Sequence, residues 1–269
     1  MKKLATALVS AAAIMTMSTT AFAAENPAEV FDRVMEKNNT IQSAEIQSGV
    51  HSVILAKDVI PDGQMKVDMA MHAEMDMQDT TDLKYLAQVA SSILGQDSYS
   101  QVFYTDGYYY VDANGVKLKY PMPLEQIISS VQTGVNTSNM ESSYMKGISL
   151  NEVNGKRVLA YEANPKKLNK NVKEALGTVM NTLGTDVNLD MNIQEMKGAY
   201  VLDDNDYIIY MTNYIVYNME VLDQPMTCIT LMETEVQNPG EPVVVTLPSM
   251  DGYEDLIGLY DGVIESEVE

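Results

Sequence analysis

The sequence predicts an α+β protein: one meandering antiparallel sheet with its helices gathered on one face. Three observations predict it. Segments with a two-residue apolar period follow one another directly instead of alternating with helices. Several are long, the clearest running from Met65 to Met77. Between them stand Asp106-Gly107, Asn114-Gly115 and Asn154-Gly155, pairs that tolerate the positive φ of tight hairpins.

Composition narrows the function before any motif does. The 269 residues hold 17 Lys and Arg against 38 Asp and Glu, a formal charge of −21. So acidic a chain repels phosphate backbones, which argues against nucleic acid as a partner. With 46% hydrophobic residues a sizeable core is available. Cys228 is the sole cysteine, which excludes an intrachain disulfide and a cysteine-built metal site. His51 and His72 are the only histidines.

The first residues read as a secretory signal peptide. Lys2 and Lys3 form a basic start, Leu4 to Met17 is apolar, and Ala21-Phe22-Ala23 is a small-x-small cleavage site. Cleavage after Ala23 removes two lysines and no acid, so −21 becomes −23. No Cys follows the apolar run for lipid attachment, and no later stretch reaches the roughly 20 apolar residues of a transmembrane segment. The expected organisation is a signal peptide over 1–23, one domain over 24–250 and an acidic tail over 251–269. The expected location is outside the cell or in its envelope.

The elements follow in order. Asn26-Pro27-Ala28-Glu29 starts a helix, with Asn as cap, Pro at the first position and an acid in the first turn; Val30, Phe31, Val34 and Met35 form its apolar stripe. Ala44 to Ala56 and Met65 to Met77 are strands. On the second, odd positions are apolar and mostly Met, while the even ones carry Lys66, Asp68, His72, Glu74 and Asp76. Thr81-Asp82 is read as the cap of a second helix, with Leu83, Leu86, Val89, Ala90, Ile93 and Leu94 on one side and Gly95 as its stop. Three short strands fill Tyr99 to Tyr120. A third helix is expected over 123–131, and the polar stretch 134–141 is expected to be a loop or lid. Strands resume over 144–150 and 157–163, a helix opens at Asn164-Pro165, and long strands cover 189–202, 207–221 and 227–236. Val243-Val244-Val245 is a last apolar run.

A large sheet with one apolar face needs a cover, and a few short helices leave part of these long strands bare. The remainder is then either a ligand groove, for which flexible Met is a suitable lining, or a surface fully packed by loops. The order of elements also resembles the LolA/LppX-like carrier superfamily. The residues that carry the likeness are the capped helix from Asn26-Pro27 to Lys37, the link Thr40-Ile41-Gln42-Ser43, the Met65–Met77 strand, the aromatic hairpin from Val102 to Tyr110, and Pro242 to Pro248. It is nearest in pattern to uncharacterised exported Gram-positive members, many of them lipid-anchored; this chain lacks their lipidation Cys. The resemblance implies an open antiparallel half-barrel with helices packed on a concave face that holds acyl chains or other apolar ligands. The lack of catalytic motifs makes an enzyme the minority reading, and no cofactor is expected.

Two functions stay open: an exported, monomeric, non-catalytic binder of a lipid or other hydrophobic small molecule, and a cell-surface structural or protein-interaction module with a filled interior. For the first, the expected wall is Ile46, Val50 and Ile54 with Met65, Val67, Met69, Met71, Met75 and Met77, plugged by helices bearing Phe31, Met35, Leu86 and Ile93. His51, His72 and Glu74 belong to the opposite, wetter face. A hairpin centred near Pro61-Asp62 sets His51 opposite His72, where the pair could share a metal with a further ligand; a solvated pair is the simpler reading. Alternating Met suits Cu(I), but with Val67 and Ala73 interleaved on the same face a core or ligand wall is the better reading. Asp203-Asp204-Asn205-Asp206 lacks the Gly and distal Glu of a calcium loop and reads as a turn. Cys228 shares a face with Met226 and Thr230 and reads as a small core residue. No G-x-S-x-G, H-E-x-x-H or phosphate-binding Gly-rich loop is present.

Overall fold

The structure, a computed structural model, describes residues 25–256 apart from 57–59, 61, 80–81, 125, 127–139, 171–190 and 222–223. The expected signal peptide, most of the helix at 123–131, nearly all of the 134–141 loop, most of the helix after 165 and the tail beyond 256 lie outside the described residues. Helix α1 is Pro27–Asn38. The strands are β1 Ser43–Leu55, β2 Gln64–Asp76, β3 Lys84–Ile93, β4 Gln96–Thr105, β5 Tyr108–Ala113, β6 Val116–Pro121, β7 Met145–Val153, β8 Lys156–Ala163, β9 Met191–Leu202, β10 Ile208–Val221, β11 Gln224–Gln237 and β12 Glu254–Asp255. They form one sheet in the order β12-β6-β5-β4-β3-β2-β1-β11-β10-β9-β8-β7. The end strands do not pair with each other, so the sheet is open. The expected open, mostly antiparallel sheet with few helices is what the described residues form.

Helix α1 starts as its sequence requires. The Ala28 backbone N–H donates to Asn26 Oδ1 at 3.1 Å, and Asn26 Nδ2 donates to Glu29 Oε1 at 3.1 Å. These contacts satisfy a first-turn donor that a helix leaves orphaned. At the other end Asn38 Nδ2 donates to Val34 O and to Asp206 O, while its Oδ1 accepts Ile208 N–H. The helix is thereby tied at its last turn to the β9–β10 connection.

The chain divides into two compact units. The first comprises Met1–Asn38, Gly49–Asp68 and Ser138–Glu235; the second comprises Asn39–Ser48, Met69–Thr137 and Val236–Glu269. In the first unit β7 to β11 are antiparallel neighbours. The core lies where α1 meets one face of these strands. Val30, Phe31 and Val34 are fully buried there with Leu159, Tyr161, Tyr200 and Leu202. Phe31 sets its ring edge-on to Tyr161, centroids 5.7 Å apart. The Asp203–Asp206 segment is a turn, as expected: Asp203 Oδ1 accepts the N–H groups of Asn205 and Tyr207.

In the second unit the sequence misreads one element. The segment read as a helix over Asp82 to Leu94 is strand β3, paired with β4 from Tyr85↔Tyr104 to Ile93↔Gln96. Leu94 (φ 54°) and Gly95 (φ 77°) form the two-residue hairpin loop. The cause lies in burial on both sides. Leu86 packs with Phe103 and Tyr110, while Leu83 and Ala87 pack into a different cluster with Met75 and Met77. A strand apolar on both faces loses its two-residue alternation and imitates a helical stripe. Tyr85, Val89 and Ile93, which favour strands, decide the outcome once β4 is available to pair.

The β1–β2 register also differs from expectation. Ala56 N–H donates to Gly63 O, and Met77 N–H to Gln42 O. His51 therefore lies opposite Asp68, not His72. The displacement is an even number of residues, so every side chain keeps its expected face. The Val243–Val245 run joins no ladder, and β12 pairs with β6 in parallel, unlike the antiparallel pairs β3–β4, β4–β5, β5–β6 and β7 to β11.

Candidate functional site

The candidate site is the apolar face of the first unit that continues outward from the α1 core, against which Met196, Met211, Ile215 and Tyr217 pack. Its strand positions follow from register. On β10, odd positions share a face with even positions of β11: Ile215↔Thr230, Tyr217↔Cys228 and Met219↔Met226. Across β9 the same face carries Met196 and Met191, opposite Ile215 and Met219. Ser52 Oγ and Thr230 Oγ1 are 2.9 Å apart, which puts the even positions of β1 on this face too. The face thus presents Val50 and Ile54 of β1, Met65 and Val67 of β2, and the methionines of β9 to β11. Val50, Ile54, Met65 and Val67 are all half-buried, and none belongs to a buried core cluster. Cys228, on the same face as Met226 and Thr230, is 1% exposed, and burial raises its thiol pKa; it packs as a small core residue.

Besides the Ser52–Thr230 hydroxyl pair, a buried amide stands on this face. Asn213 is 3% exposed. Its Oδ1 accepts from the Tyr161 hydroxyl, which in turn accepts from Tyr200 Oη at 3.3 Å. Burial holds the Tyr161 phenol well above its ordinary pKa and pushes Tyr200 up to about 12, so both are neutral donors. Gly198 stands between Tyr161 and Asn213 in register. A Cβ there would lie 2.5 Å from Asn213 Oδ1 and 2.8 Å from Tyr161 Oη, so the tyrosine reaches across only because the residue is glycine.

The remaining expected wall residues fall elsewhere. Ile46, Met75 and Met77 are buried with Ala44 and Ala73 in a core of the second unit, and Met71 packs against that core. Met69 is 40% exposed. Phe31 and Met35 lie in the α1 core. Leu86 and Ile93 correct the expectation of a plugging helix. Both are on β3; Leu86 points away from the Met75 side, and Ile93 is exposed beside the hairpin loop.

The histidines separate as the register dictates. His51 Nδ1 is 2.7 Å from Asp68 Oδ1. His72 Nε2 is 3.1 Å from Glu74 Oε1, and its Nδ1 is 3.9 Å from Glu45. The expected opposition of His51 and His72 is therefore absent, and with it the shared metal position. Among the described residues no group of three His, Cys, Asp or Glu is placed to hold a metal. No helix among them is long and apolar enough to cross a membrane. The half-buried apolar positions were legible as an alternating pattern; Asn213 was not, because nothing local distinguishes it from a solvent-facing Asn.

A model described as a family of unknown function, DUF6612, matches residues 26–248. The chain belongs to this family. The match begins at Asn26, the α1 cap, and so takes in every strand from β1 to β11. No curated protein matches this DUF6612 chain. Among solved structures, LprF from Mycobacterium bovis is similar at 10% identity and a TM-score of 0.35, over 83% of this chain and 97% of LprF. A beta-barrel-like protein of the family DUF1849 from Brucella abortus is similar at 12% identity and a TM-score of 0.23, over 74% of this chain and all of that one.

Proposed function

We propose that this chain is an exported, non-catalytic protein that binds a hydrophobic small molecule or lipid, in the manner of the LolA/LppX-like carriers its sequence resembles. The observation that carries the reading is the apolar face of the first unit. Val50, Ile54, Met65 and Val67 point to the same side as the methionines of β9 to β11 yet stay half-exposed. Contiguous apolar strand positions left in water cost free energy that a bound apolar molecule recovers. Thioethers fit such a role because their unbranched chains repack around ligands of different shape. The reading takes the chain as a monomer.

Titration with Nile red tests it. The expected result is saturable binding with a blue-shifted emission, weakened about tenfold by Met65→Asp or Val67→Asp, since a carboxylate on the wall has no partner there. Absence of saturable binding by the native chain overturns the reading and favours a protein-interaction module.

A further inference from the structure

We propose that Asn213 is a polar anchor that selects ligands bearing an uncharged carbonyl, such as an acyl ester, over free fatty acids and plain hydrocarbons; this rests on the apolar-ligand reading above. A primary amide has two N–H donors and an acceptor oxygen. The oxygen of Asn213 is used by Tyr161. Its nitrogen meets, among the described residues, only the Met211 thioether, with Sδ 4.0 Å away. A thioether is a weak acceptor, so at least one N–H of a residue that is 3% exposed is left without a good partner. Buried amide donors are costly to leave in this state, and a structure that retains one holds a vacant position for an acceptor.

The surroundings say which acceptor. On this face Asn213 is flanked along β10 by Met211 and Ile215 and stands opposite Met232 of β11 and Gly198 of β9. Met211, Ile215 and Met232 are only partly buried, so the amide lies at the margin between the α1 core and the open apolar face. Their side chains can shift to admit a ligand group. No charged residue is among these neighbours. A carboxylate brought there would lose its water without a cation to meet it. An ester or ketone carbonyl needs one donor and loses far less hydration. The Tyr161–Tyr200 chain fixes the amide orientation: with its oxygen committed to a phenol that burial keeps protonated, Asn213 can present only N–H to a ligand.

The test compares three probes sharing one apolar body: pyrenyldecanoic acid methyl ester, pyrenyldecanoic acid at a pH where it is ionised, and pyrenyldecane. The native chain is expected to bind the ester roughly five- to tenfold more tightly than the hydrocarbon, the gain of about one hydrogen bond, and the ionised acid most weakly. Asn213→Leu is expected to abolish the ester preference while keeping hydrocarbon affinity. The ratio of two affinities on one preparation does not depend on the fraction folded. Asn213→Ala, which removes the donor without adding bulk, provides a second variant and should lose the preference as well. An ester-to-hydrocarbon ratio unchanged by both variants, or an acid bound more tightly than the ester, overturns the anchor while leaving ligand binding intact. Failure of all three probes to bind overturns the ligand reading itself.

Discussion

Asp206 shows how much one side chain can organise. It accepts from Arg33 Nε at 2.8 Å and from Arg157, and both arginines also reach Glu25. Two acids and two bases thereby close a ring joining the start of α1, strand β8 and the β9–β10 turn. Burial raises the Asp206 pKa, but the hydrogen bonds from Arg33 and then Arg157 outweigh it, so its carboxyl stays below the ordinary value. The linkage follows from that direction. A carboxyl with a depressed native pKa contributes stability that is fully present above its unfolded value, about 4, and is lost as pH falls through the native value. Urea unfolding midpoints measured from pH 6 down to 2 should therefore fall less steeply for Asp206→Asn than for the native chain. Parallel acid limbs would show that the ring contributes nothing. The sequence displayed Asp203 to Asp206 as turn chemistry, which it is, but not the two arginines. They lie 173 and 49 residues away from Asp206, and no local pattern joins residues so far apart.

Among the elements, the β3–β4 hairpin marks where local reading stopped working. Period two was visible in β2 because one face is apolar and the other charged. It was hidden in β3 because Leu86 and Ala87 are buried on opposite sides. What remained visible was Gly95, and a glycine after an apolar run signals a helix stop or a hairpin loop with equal force. The loop residue before it carries a testable strain. Leu94 holds φ 54° and is 70% exposed, a left-handed conformation that leucine disfavours and asparagine accepts. Leu94→Asn should raise stability by about 0.5–1 kcal/mol, read as a higher urea midpoint with an unchanged slope. A loss of stability would mean that the leucine makes packing contacts outweighing its backbone strain.

At the scale of the whole molecule, apolar pattern fixed the faces of the sheet, and long-range contacts fixed the rest. An even register slip preserves the alternation of β1 and β2, so Val50, Ile54, Met65 and Val67 share one side even though His51 and His72 do not meet, while Ile46, Met75 and Met77 fall into a core of the second unit and Met69 is exposed. The passage of the chain after β11 was not readable at all. The segment after Asn238 runs across the strands of the second unit instead of along them. Val243 N–H donates to Ser43 Oγ of β1, and Thr246 N–H to Glu74 Oε2 of β2. Val245, Leu247 and Tyr253 then pack on Leu86, Phe103 and Tyr110 of β3, β4 and β5, before β12 joins β6. A strap of this kind has no ladder and no period, since each contact meets a different strand. Its anchor is Tyr253, edge-on to Phe103 at 5.5 Å and to Tyr110 at 5.2 Å, with Lys117 Nζ over its ring at 5.2 Å. Phe103 is wholly buried and Tyr110 nearly so. Tyr253→Ala removes a ring from over both and should cost about 2–3 kcal/mol. Val244, 88% exposed within the same strap, is the internal comparison, and Val244→Ser should stay within about 0.5 kcal/mol of the native chain. Equal effects of the two substitutions on urea unfolding would mean that the strap lies on the sheet without holding it. A large gap between them would place the closure of the second unit's outer core in these last residues, whose contacts only the folded chain brings together.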